Sequence, residues 1–144
     1  MRAKVVRFED LIAWQFAREF NKRLAVHRDS VRRISGARAW EQIHSASHSI
    51  ASNIAEGFER RSLGDFHRFL CYSKDSAAEV RSGLHLLLDE KSIPAKDFEH
   101  LLHSIEELAR VIEGLRRSVA AQRKEPSVVK EDRTSYAVEW ILNR

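Results

Sequence analysis

Two histidines four residues apart, His44 and His48, first raise the question of chemistry in this sequence. On a helix that spacing puts both imidazoles on one side, where they could share a metal ion. A zinc protease would carry H-E-x-x-H, but this stretch reads "HSASH" and brings no third ligand. His100 and His103 make a looser pair. The ordinary reading, solvated or internally satisfied histidines, is preferred, and no metal site is expected. Cys71 is the only thiol, with His67 four residues earlier as the nearest base. A Cys-His nucleophile needs that pairing. A small packed hydrophobe beside an apolar stripe is the commoner role. Asn53 and Glu56 stand three apart. Glu56 as a general base would need a second positioned group and a pocket, and neither is visible. With Gly57 and Ser62 they are read as a structural corner. Phosphate-binding glycine loops and dinucleotide fingerprints are missing as well. No catalytic residue and no cofactor are expected.

The charged residues say more. Residues 1–38 hold ten Lys/Arg against four Asp/Glu, residues 39–90 five against eight, and residues 91–144 ten against nine. The excess behind the net charge of +4 thus sits near the start of the chain. Arg18, Lys22, Arg23, Arg28, Arg32, Arg33 and Arg38 form it, and Arg60 and Arg61 join it if the corner lies nearby. Arginines can grip phosphates through paired hydrogen bonds. Recognition-helix and RNA-binding signatures are absent, so any binding of RNA or DNA should be electrostatic and tolerant of sequence. A merely solvated helix face is the competing reading.

Helices must position these residues. The 144 residues suit one domain, 43% apolar and 32% charged, with five glycines and two prolines. Ala13, Phe16, Ala17, Phe20 and Leu24 share one face of a helix over about 8–26. "HRDSVRRISG" reads as a helix end and a basic connector broken by Gly36. Trp40, Ile43, Ser47, Ile50, Ile54 and Phe58 mark a second helix over about 37–58, with small residues elsewhere on it that permit close packing. Ser62 and Asp65 fit a capping box for a third helix, about 63–89, striped by Phe66, Phe69/Leu70, Ser73, Ala77, Val80, Leu84 and Leu87. Pro94 can open a fourth, about 94–121. Its Phe98, Leu101, Ile105, Leu108, Ile112, Leu115 and Val119 hold an a/d pattern. The expected fold is all-α, an antiparallel up-down-up-down four-helix bundle over 1–122.

Residues 123–144 follow it. "RKEPSVVKEDRTS" is polar and contains Pro126, which predicts a mobile linker. "YAVEWILNR" then sets Tyr136 and Trp140 four apart beside Ile141 and Leu142, a cluster suited to docking on its own bundle or a neighbour. Leu11 and Trp14 point away from the first helix's stripe at ~100° per residue, which makes them candidate oligomer contacts. The chain has no signal-peptide pattern and no run of the ~20 apolar residues that a membrane span needs. One cysteine fits a reducing compartment, so a cytoplasmic protein is expected.

Three stretches resemble a bacterial family of four-helix bundle proteins, named for its occurrence in intervening sequences of 23S ribosomal RNA genes. "FEDLIAWQFAR" (8–18) is similar to its F-E-D-L-x-x-W-x-x-A-R opening. "SIASNIAEGFERRS" (49–62) resembles S-I-P-S-N-I-A-E-G-x-x-R-R-S, and "DFHRFLCYSKDSAAEV" (65–80) resembles E-F-x-R-F-L…S-x-x-E-L. The likeness spans about residues 6–120. It departs at Ala51, where proline is usual, at Glu59, and at Lys74 and Asp75, which replace small residues. The resemblance implies a homopentamer with no known enzymatic activity. It also implies kinship with the accessory variability protein of diversity-generating retroelements, a basic pentameric barrel that binds nucleic acid and a reverse transcriptase. The expectation is therefore a non-catalytic, homo-oligomeric adaptor with a basic surface for RNA or DNA, and a nucleic-acid-processing protein is a further candidate partner. A protein-only scaffold and a small metal-dependent enzyme are the alternatives.

Overall fold

The computed structural model describes residues 4–123. The 123–144 region therefore lies, but for Arg123, outside the described residues, and so do the expectations placed on it. A 3-10 turn, Phe8–Asp10, leads into five α-helices: α1 (Ile12–Ala25), α2 (Arg28–Ile34), α3 (Ala37–Glu59), α4 (Leu63–Asp89) and α5 (Ala95–Arg123). No strand occurs among the described residues. The four long helices follow the sequence periodicity. The short α2 corrects the reading of "HRDSVRRISG" as a connector: Val31 is fully buried and pulls one side of the segment onto the core. Gly36, at φ +104°, then makes the break that a side chain would resist.

The stripes meet in one hydrophobic core. α4 packs between α3 and α5, α1 packs on α3 and α5, and α2 lies on α3. Paired contacts fix the directions. Ser73 Oγ donates to the Ile50 carbonyl and Ser76 Oγ to Ser49 Oγ, while Gly57 lies against Phe66 and Phe69. Residue numbers rise along α4 as they fall along α3, so the two are antiparallel. Lys74 meets Glu113 and Arg81 meets Glu106, which makes α4 and α5 antiparallel as well. Every a/d residue expected on α5 is buried. On α1 the stripe is buried except for Phe16, which is half-buried.

Local chemistry sets the helix ends. The Asp10 carboxylate accepts from the N–H groups of Val6 (3.0 Å) and Arg7 (3.2 Å), closing the 3-10 turn. Those bonds hold its carboxyl below the usual range. Ser62 Oγ accepts from the Asp65 N–H at 3.0 Å, the first half of the expected capping box. The Asp65 carboxylate itself pairs with Arg68 at 3.1 Å. Lys91, in the left-handed region at φ +61°, turns the chain out of α4, and Pro94 precedes α5.

Candidate nucleic-acid interface

The structure divides the basic residues that the sequence grouped together. Arg38 begins α3 and Arg60 follows its end, so about 33 Å of helix at 1.5 Å per residue separates them. Arg60 and Arg61 therefore do not extend the basic surface near α2. Arg60 binds Glu56 at 3.2 Å and lies 4.9 Å over the Phe69 ring. Lys22 and Arg23 both lean on Glu19, at 3.7 and 3.6 Å, and Arg23 also donates to Ser104 Oγ. Arg18 covers the Trp14 ring at 5.7 Å.

Arg28, Arg32, Arg33 and Arg38 differ. All four are exposed, and among the described residues none makes an ion pair. Val31 and Ser30 explain how α2 presents them. Val31 is buried, and Ser30 Oγ donates to the Ser92 carbonyl in the α4–α5 connection at 2.8 Å. With that side fixed inward, Arg28 and Arg32 lie one turn apart on the outer surface, with Arg33 beside them. Val26, 80% exposed, and Ile34 border them.

The corner residues make different contacts. Asn53 Nδ2 donates back to the Ser49 carbonyl and Oγ, both at 2.9 Å, within its own helix. Glu56 is exposed and committed to Arg60. Gly57 is buried against Phe66 and Phe69 of α4.

A polar network on α4 and α5 escaped the sequence reading. Lys74 Nζ meets Glu113 Oε2 at 3.0 Å, and Arg116 clasps the same carboxylate through Nε and Nη2. Arg116 foremost, and Lys74 with it, holds the Glu113 carboxyl at a pKa of about 2. Arg116 Nη1 lies 3.0 Å from His67 Nε2. A guanidinium only donates, so Nε2 accepts and the ring proton sits on Nδ1. Burial first, then the charges of Arg116 and Arg123, push the His67 pKa down and keep the ring neutral. Nδ1 faces Cys71 Sγ at 4.0 Å. Already protonated there, it cannot take the thiol proton, so this geometry does not build the Cys-His nucleophile. Lys74 departs from the family pattern, and its partner Glu113 lies 39 residues away in sequence, beyond any local spacing.

His44 stacks on Trp40 with ring centroids 5.1 Å apart, and His48 tilts toward it at 5.9 Å. No group of three possible metal ligands occurs among the described residues. No helix among them is long and apolar enough to cross a membrane.

Leu11 corrects an expectation. It is 1% exposed and belongs to the core of its own chain. It is the N-cap of α1 with extended backbone, φ −73° and ψ +127°, so the angular count of a helix did not apply to it. Trp14 is half-buried, with its ring edge-on to Phe8 at 5.2 Å.

Comparison with known proteins agrees with this architecture. The sequence pattern of the family described as 23S rRNA-intervening sequence protein matches residues 9–114. A crystal structure of a protein of unknown function from the S23 ribosomal protein family of Bacteroides thetaiotaomicron superimposes with a TM-score of 0.69. It is 20% identical and covers 74% of this chain and 99% of its own, a likeness of fold. Curated proteins give no match.

Proposed function

The chain belongs to the 23S rRNA-intervening sequence protein family, and from that premise we propose a non-catalytic, homo-oligomeric cytoplasmic adaptor whose α2 end grips the phosphates of RNA or DNA. The observation that carries this reading is the exposed set Arg28, Arg32 and Arg33 on α2 and Arg38 on α3, free of ion pairs among the described residues, while Lys22 and Arg23 of α1 lean on Glu19. Arginines that no carboxylate holds can turn to a phosphate, and the planar guanidinium loses less freedom per hydrogen bond formed than a lysine ammonium does. Contact is electrostatic and independent of sequence, with affinity falling as salt displaces the benefit of counterion release. Assembly into a ring, a pentamer by the family resemblance, would repeat the patch around the particle and strengthen weak contacts through multivalency. A nucleic-acid-processing protein is the partner such an adaptor would serve.

The test replaces Arg28, Arg32 and Arg33 together by Glu. The variant should keep its helicity and lose binding to mixed RNA and DNA at low salt. Undiminished binding would place the surface elsewhere. Wild-type affinity that does not change with salt would remove phosphate contacts from the account.

A further inference from the structure

α3 begins without a cap of its own. Its N-cap is Gly36, which has no side chain to offer, and its first turn holds no acidic residue. The N–H groups of Ala37, Arg38 and Ala39 precede the helix's first bond, which runs from the Trp40 N–H to the Gly36 carbonyl at 3.3 Å, and they meet no acceptor among the described residues. Ala37 and Arg38 are exposed. Apart from its chain neighbours, no heavy atom lies within 4 Å of where a Gly36 Cβ would stand, so the approach to these donors is open. The residue before the N-cap adds an independent sign. Ser35 Oγ is buried and has no hydrogen-bond partner among the described residues, which leaves a hydroxyl donor without its acceptor. Arg32 and Arg33 occupy the last turn of α2 and Arg38 the first turn of α3, all exposed. The neighbouring acids stand off: Asp29 is in the first turn of α2, and Glu41 lies beyond the first turn of α3.

We propose that the α2–α3 junction is a phosphate site that takes the terminal phosphomonoester of an RNA or DNA strand in preference to a phosphodiester within it. The proposal rests on the reading of the α2 arginines as a nucleic-acid surface and adds the group that seats beside them. Unpaired N–H groups at the start of a helix point at a bound anion, and the helix dipole favours its charge. A phosphodiester inside a strand carries a single charge and continues as chain on both sides. A terminal phosphomonoester carries a charge of about −2 and three strong acceptor oxygens. Those oxygens suffice for the backbone donors of Ala37 and Arg38, the Ser35 hydroxyl and one guanidinium together. A strand end also projects, so its phosphate can enter the turn end-on while Arg28 and Arg32 meet the phosphates that follow.

The probe is a short oligouridylate labelled at its 3′ end, prepared with either a 5′-phosphate or a 5′-hydroxyl, and fluorescence anisotropy on the full chain reads its binding. The wild type should bind the 5′-phosphorylated form at least about fivefold more tightly at low salt. Ala37→Pro removes one backbone donor without changing any charge, and proline is favoured at the first position of a helix. It should keep the helicity and lose most of the preference. Ser35→Ala should lose part of the preference as well, yet melt no earlier than the wild type in phosphate-free buffer, because it deletes a hydroxyl that was buried unpaired. Equal affinity of the wild type for the two forms would overturn the terminal-phosphate site and leave the nucleic-acid surface standing. No binding of either form would overturn both. A preference retained in full by Ala37→Pro and by Ser35→Ala would reduce it to the added charge on the strand, and would overturn the site too.

Discussion

Gly57 on α3 and Phe69 on α4 approach so closely that a Cβ built on the glycine would lie 2.7 Å from the Cβ of Phe69. A Phe66 ring carbon lies 3.0 Å away on another side. Neither neighbour can yield easily, because Phe66 is fully buried and Phe69 carries its crowded Cβ directly on the helix backbone. The glycine of "NIAEG" thus sets the distance between two helices. Gly57→Ala should destabilise the protein by about 1–3 kcal/mol, the usual cost of overpacking, despite alanine's better helix propensity. Denaturant melts check this; equal or greater stability would mean that the helices separate without cost.

The α5 stripe offers a second test. Ile105 and Leu108 are each 1% exposed in the heptad pattern facing the other helices. Ile105→Ala or Leu108→Ala should cost about 2–5 kcal/mol by lost transfer energy and an unfilled cavity. A loss under about half a kcal/mol, the scale of surface substitutions, would contradict their burial.

What could be read from the sequence depended on periodicity. Helices long enough to repeat their stripes, such as α5 with Phe98 through Val119, declared themselves. The seven-residue α2 has only Val31 to bury, too little for a period, and its arginines looked like a connector. Leu11 misled because a helical angle was applied to a residue with extended backbone. The Lys74–Glu113 pair joins residues 39 apart in sequence, a proximity that only the packing of α4 on α5 creates. Basic residues are legible by type, but the length of α3, which keeps Arg60 and Arg61 apart from Arg28 and Arg32, is not visible in a count of charges.

That same network predicts acid sensitivity in two windows. The folded-state pKa of Glu113 lies at about 2, below its unfolded value of 4.5. Its stabilisation is present above 4.5 and is lost as pH falls through about 2, below which both states are protonated. His67 is depressed below 6.5, so the unfolded chain takes up its proton first and stability declines as pH drops below 6.5. Glu113→Gln should cost about 1.5–3 kcal/mol at neutral pH, the range for hydrogen bonds to charged groups, and the gap should close near pH 2. His67→Gln keeps an acceptor for Arg116 and should flatten the decline just below pH 6.5. Urea melts across pH measure both, and parallel curves for variant and wild type would refute the assignment.

Trp14 provides the test of assembly. Its ring meets Phe8 edge-on at 5.2 Å and Arg18 from 5.7 Å, yet the residue remains only half-buried in its own chain. A large aromatic that stays partly exposed suits an interface between identical subunits in a ring, where each copy presents it to a different surface of the next. Trp14→Glu should leave the helices folded. The new carboxylate would stand four residues before Arg18, an i,i+4 arrangement that favours helix. It would also put a charge into the subunit contact, where its desolvation is costly without a partner. Light scattering should therefore find monomers for the variant and a larger particle for the wild type. A variant that keeps the wild-type mass would exclude Trp14 from the interface, and a monomeric wild type would remove the ring itself.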